Sequence, residues 1–174
     1  DKVILQRHMA GIQAPPFWQM AMSANGLDPQ AKVDRWQICR FSPPSHVMID
    51  VGVALAGKGG FDAAPEHKAY SVVVDFITPE TETSHWYHWG MARQFKPHDA
   101  ALTDKIRTGQ GGIFGEDMEM LQLQQANITK WPERKLLMLN IDSGGVQSRR
   151  IIDRLLAQEL APELPTTPAT GTPA

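Results

Sequence analysis

Cysteine is nearly absent. Cys39 is the sole one in 174 residues, so no intrachain disulfide can form and a disulfide-stapled scaffold is excluded. No apolar run reaches the roughly 18 residues that a membrane-crossing helix needs, and the first residues do not read as a basic-then-apolar leader. A cytoplasmic protein with no membrane partner is therefore expected. Charge of one sign is also missing: 17 Lys and Arg face 19 Asp and Glu, a net charge of −2. Without a global basic field, a nucleic-acid partner is not expected. The sequence contains no phosphate-binding loop, no dinucleotide fingerprint, no Gly-x-Ser-x-Gly elbow and no Cys-x-x-Cys; Gly109-Gln110-Gly111-Gly112 lacks the Lys-Ser/Thr ending of a phosphate loop.

What is present suits one compact domain, with 42% hydrophobic and 21% charged residues. The chain opens on Asp1 and runs at once into strand-like sequence, which reads as the C-terminal part of a longer polypeptide. Val3 to Met9 is strand-like and is stopped by Ala14-Pro15-Pro16. Phe17 to Leu27 fits a short helix or a loop. Alternation predicts a strand over Val33 to Phe41, and a β-rich run predicts another over His46 to Leu55, after the break at Ser42-Pro43-Pro44-Ser45. The glycines of Gly57 to Pro65 suggest an exposed connection. Tyr70 to Thr78 and the aromatic stretch Thr83 to Phe95 then form a second hairpin.

From Asp99 the apolar period becomes helical, with Asp99 or Thr103 as the candidate cap. Gly109, Gly111 and Gly112 predict two helices, or one distorted helix, between 99 and 128. Leu136 to Ile141 is a short apolar run, and Val146 to Leu160 makes a last helix. Residues 1–160 are thus expected to form the folded part and 161–174, rich in Pro, Thr and Ala, a disordered tail. Strands followed by helices imply an α+β fold, an antiparallel sheet with helices packed on one face.

Asp117 is the sharpest anomaly. At about 100° per residue, Ile113, Phe114, Met118, Met120 and Leu121 share one arc of a helix, and Asp117 falls inside it. A lone buried carboxylate costs several kcal/mol, so a metal, a cation such as Arg107 or backbone amides must neutralise it. Asp75, between Val73 and Ile77, and Asp50, within Met48-Ile49-Asp50-Val51, interrupt apolar strands. Each faces either a cavity or the solvated side of a sheet. Ser84 to Trp89 concentrates five rings. His85 and His88 point to opposite faces of a strand and do not chelate one ion, whereas Trp86, His88 and Gly90 share a face. That set fits either cross-strand packing or the wall of a cavity for a flat ligand. Cys39 reads as a buried thiol.

Thr78-Pro79-Glu80-Thr81-Glu82-Thr83-Ser84 running through His85 to Arg93 resembles the hairpin of the oxygenase component of vanillate O-demethylase and its relatives. Ile113-Phe114-Gly115-Glu116-Asp117 with Leu121 to Gln125 resembles the same family. So do Ala14 to Phe17, Ile49 to Ala54, and Leu139 to Asp142 leading to Arg149 and Arg150. The resemblance implies a Rieske-type non-haem iron oxygenase. Its catalytic domain would have the helix-grip fold, an antiparallel sheet around a long helix with a ligand cavity between, here incomplete at the N-terminus. It further implies a mononuclear Fe(II) held by two histidines and one carboxylate, the carboxylate mapping onto Asp117. Asp75, Asp50, Trp86 and His88 are the implied substrate-binding positions.

The family's 2Fe-2S cluster needs two Cys and two His, which this sequence does not provide, and the paired His ligands are likewise expected outside it. The implied reaction oxidises an aromatic substrate with dioxygen, as in O-demethylation, where a hydroxylated methoxy group releases formaldehyde. Electrons would come from NAD(P)H through a separate reductase and would cross a subunit boundary in a homotrimer. An acidic residue at 75 would repel a carboxylate substrate, against vanillate itself. Two other readings compete: a non-catalytic helix-grip module binding a hydrophobic ligand without iron, and an aromatic hairpin that serves as a subunit interface.

Overall fold

The computed structural model describes residues 2–160. The expected disordered tail at 161–174 lies outside them. Five strands, β1 (Val3–Gln13), β2 (Lys32–Ser42), β3 (His46–Leu55), β4 (Lys68–Pro79) and β5 (His85–Arg93), form one antiparallel sheet in sequential order. Three helices accompany it: α1 (Pro16–Ala24), α2 (Ala100–Lys130) and α3 (Ser143–Leu160). The α+β arrangement read from the sequence is the one observed.

The register decides which side chains share a face. Val53 pairs with Arg35 and Ala69, Ile49 with Cys39 and Val73, and Val47 with Phe41 and Asp75. Those residues face the helices. On that side Val33, Val53 and Ala69 pack against Trp18, Ala21 and Met22 of α1, with Phe95 from the connection after β5 and Ile106 of α2 closing the core. The other face buries Trp36, Ile38 and Ala54 beneath the connection carrying Ala63, with Tyr70 alongside. Trp36 is accommodated there because it faces Gly52 across the strand pair, where an added Cβ would collide with the indole.

Local chemistry accounts for the boundaries. β1 runs past the predicted Met9 because a bulge between Met9 and Ile12 lets pairing resume at Ile12 and Gln13. Asp34 accepts from Gly11 N at 2.9 Å and Gly57 N at 2.8 Å, tying that bulge to the turn after β3. Both glycines have positive φ, +61° and +75°. The open segment after Pro15 is a helix, with proline in its first turn and Trp18, Ala21 and Met22 on one buried face.

Asp99 caps α2 by accepting from Leu102 N at 2.9 Å. The expected interruption at Gly109, Gly111 and Gly112 does not occur. These glycines meet nothing within 4 Å; each costs about 1 kcal/mol relative to alanine, and the helix continues unbroken to Lys130. α3 packs on β1 through Gly144, where any side chain would collide with Leu5.

Candidate functional site

α2 starts at the end of β5 and is held there by Arg93. The guanidinium donates to Phe95 O (3.1 Å), Lys96 O (2.9 Å), Asp99 O (2.9 Å) and Thr103 Oγ1 (3.0 Å). From this anchor the helix returns over β5. Ile106 enters the core, and two turns later Phe114 packs on Tyr87 and Trp89, with centroids 5.6 and 5.1 Å away. α3 lies over β1 at the opposite edge. Between the two helices Cys39, Ile49 and Val73 remain only partly buried, so the middle of the sheet forms the floor of a groove.

Asp75 stands on this face, between Val47 and Trp89 in the register, and is only 5% exposed. Tyr87 Oη donates to Asp75 Oδ1 at 2.9 Å. Burial, the hydrogen bond and the negative charges of Asp75 and Asp117 together raise the Tyr87 pKa above the usual phenol range. Burial raises that of the Cys39 thiol, and the charge of Asp75 raises it further. Tyr87 thus ties β5 to β4 through Asp75, and Phe114 sets α2 against the same ring.

The environment expected for Asp117 is corrected. Its side chain is exposed rather than enclosed, and the arc it shares is exposed too: Ile113, Met118, Met120 and Leu121 are all more than half accessible. The reason is length. The 31 residues of α2 extend about 46 Å, whereas the nine of β5 cover about 30 Å. Beyond Phe114 the helix outruns the sheet it packs on. Arg107, the candidate counter-ion, instead pairs with Asp104 at 3.0 Å. Among the described residues no group of three His, Cys, Asp or Glu could hold a metal ion, so Asp117 can offer one oxygen ligand of an iron site but not a complete one.

The four expected substrate positions do not form one site. Asp50 pairs with Ile38 and Val72 in the register and faces away from the helices, ion-paired with Arg40. Trp86 and His88 share that outer face. Both are exposed, Trp86 at 58%, so they wall no cavity with Asp75. His85 and His88 lie on opposite faces, as their spacing requires. A recess of about 380 Å³ lies between α1 and α2, lined by Phe17, Met20, Lys105 and Ile113; none of the five expected residues lines it. Tyr87, read from sequence as one of several packing rings, is the polar link that was missed. It has the parity of Asp75 once β4 and β5 are aligned.

This sheet, with a long helix across one face, has the helix-grip architecture. Crystal structures of dicamba monooxygenase share it. The form bound to 3,6-dichlorosalicylic acid superposes with a TM-score of 0.77 at 23% identity, covering 92% of this chain and 46% of that one. The form with non-haem iron and dicamba gives 0.74 at 23% identity, covering 91% and 46%. At such identities the likeness is one of fold.

The family described as the vanillate O-demethylase oxygenase C-terminal domain matches residues 1–158, and this chain belongs to it. The vanillate O-demethylase oxygenase subunit of Pseudomonas sp. (strain ATCC 19151) is 64% identical over 163 residues, 94% of this chain and 50% of that protein. A toluene-4-sulfonate monooxygenase system iron-sulfur subunit of Comamonas testosteroni is 38% identical over 135 residues, 75% of this chain and 38% of that protein. The chain spans about half the length, or less, of the curated relatives it matches.

Proposed function

We propose that this chain is the C-terminal part of the catalytic domain of a Rieske-type aromatic oxygenase, a monooxygenase of the O-demethylase kind. The observation that carries the reading is the match to the family from residue 1 to residue 158, in a fold where Phe114, about one turn before Asp117 on α2, packs on Tyr87, which donates to buried Asp75 on β4. Asp117 would serve as the carboxylate of a two-histidine, one-carboxylate Fe(II) site, a donor set suited to non-haem iron. Its accessible oxygens fit that task. The two histidines and the 2Fe-2S cluster would come from parts of the polypeptide outside this chain.

Bound iron would supply dioxygen activation. This chain's residues would do the rest: Arg93 fixes the start of α2, Ile49 and Val73 give the ring an apolar floor, and Asp75 with Tyr87 orients its polar edge. Electrons would arrive from NAD(P)H through a separate reductase, and the working enzyme would be a cytoplasmic homotrimer acting on an aromatic methyl ether. The outer-face residues Asp50, Trp86 and His88 fall outside this groove, and the reading gives them no contact with substrate.

The test is Asp117→Ala in the full-length polypeptide. Mononuclear iron should be lost and turnover abolished, while the visible absorption of the 2Fe-2S cluster persists. Full retention of mononuclear iron would refute the assignment.

A further inference from the structure

Asp117 is exposed, so no packing around its own side chain fixes it. Its place is set by whatever holds the turn of α2 that carries it. The covered positions of α2 recur every four residues, at Leu102, Ile106, Gln110 and Phe114, and the next is Gln125. Phe114 is therefore the last hold on the helix before Asp117. It sits in a weak stretch: Gly109, Gly111, Gly112 and Gly115 meet nothing within 4 Å, and glycine is among the poorest helix formers. Phe114 rests edge-on against Tyr87 and tilted against Trp89. The Tyr87 ring is itself held through its hydroxyl by Asp75.

The length of the lever decides how much this hold matters. Asp117 lies about 16 Å along the axis beyond Ile106 but only about 4.5 Å beyond Phe114. A tilt of about 10° pivoting at Ile106 moves it roughly 3 Å, and the same tilt pivoting at Phe114 moves it less than about 1 Å. Metal–ligand distances tolerate only about 0.2 Å. A carboxylate hung from Ile106 alone is lost to a metal site, whereas one held at Phe114 needs only side-chain rotation to reach it.

We propose that Phe114, seated on Tyr87 and Trp89, is the positioning residue that places the Asp117 carboxylate for the metal. The proposal rests on the iron reading of Asp117 given above.

The experiment uses the full-length polypeptide with its 2Fe-2S cluster in place and its mononuclear iron removed by chelation, and Fe(II) is titrated back anaerobically. Phe114→Ala should bind Fe(II) about 10- to 100-fold more weakly than the native protein, the range usual when a residue that orients a ligand is removed. Phe114→Tyr keeps the ring and should restore native affinity. Trp89→Leu thins the same seat from the sheet side and should weaken binding too, which keeps the test available if Phe114→Ala does not fold. Adding Gly111→Ala and Gly112→Ala to Phe114→Ala should regain part of the affinity, because both positions have room for a methyl group and a stiffer helix carries the hold at Ile106 further along.

Met22→Ala, a truncation in the buried core of α1, should lower the denaturation midpoint and leave Fe(II) affinity native. Equal weakening by Met22→Ala, or native affinity in both Phe114→Ala and Trp89→Leu, overturns the proposal. Asp117→Ala separates the two claims. Retained affinity there refutes the iron reading and this proposal with it, whereas lost affinity there with native affinity in the Phe114 and Trp89 variants refutes the role of Phe114 alone.

Discussion

Arg93→Ala tests how the groove is held open. The guanidinium makes four hydrogen bonds at the corner between β5 and α2, and those to Phe95 O and Asp99 O are partly buried. The other two, to Lys96 O and Thr103 Oγ1, are exposed and should contribute little once water replaces them. Each partly buried bond from a cation contributes on the order of 1 kcal/mol net, giving about 2 kcal/mol for the corner. The loss should be local, since Asp99 still caps the helix through Leu102 N.

The assay is amide hydrogen exchange in the full-length polypeptide, followed on peptides covering 96–106. A local loss of about 2 kcal/mol accelerates exchange there roughly 30-fold. Peptides from β2 and β3 should be unaffected. Arg93→Lys should recover less than half of the protection, because an ammonium cannot span the acceptors that the planar fork reaches. Acceleration below about threefold in Arg93→Ala, or the same acceleration across the whole sheet, would refute a local clamp.

Two further outcomes follow from the same geometry. Gly52→Val should destabilise the fold by about 1–3 kcal/mol, because its side chain would enter the space of the Trp36 indole; a lowered denaturation midpoint checks this, and an unchanged midpoint argues against the close approach. Cys39 should alkylate more slowly at mildly alkaline pH than an unperturbed thiol, since a raised pKa leaves less thiolate at any given pH. Asp75→Asn removes the smaller of the two causes, so the pH inflection of labelling, read by mass spectrometry of the Cys39 peptide, should move part of the way back down.

Much of the fold was legible locally. His46–Leu55 has the bounds that its β-rich composition predicted, and the capping role of Asp99 follows from its place ahead of a helical period. The unbroken α2 was less legible, because three glycines lower helix propensity and nothing nearby in sequence shows that this cost is tolerated. Site residues divided along the same line. Asp75, Asp50, Trp86 and His88 were each visible as polar or aromatic interruptions of a strand pattern, but pattern cannot set register between strands. Asp75 pairs with Val47 and Trp89, and Asp50 with Ile38 and Val72. That offset alone puts the two carboxylates on opposite faces. Tyr87 carried no distinguishing signal within a run of rings.

By itself the sequence determined the four later strands, the last helix, the α+β class and the family, because periodicity, turn chemistry and motif order are properties of neighbouring residues. Tertiary structure decided which polar groups meet. It joined Tyr87 to Asp75, sent Asp50, Trp86 and His88 to the outer face, and left Asp117 exposed where α2 passes the end of its sheet. Those outcomes depend on strand register and on the ratio of helix length to strand length, and neither is encoded within any single segment.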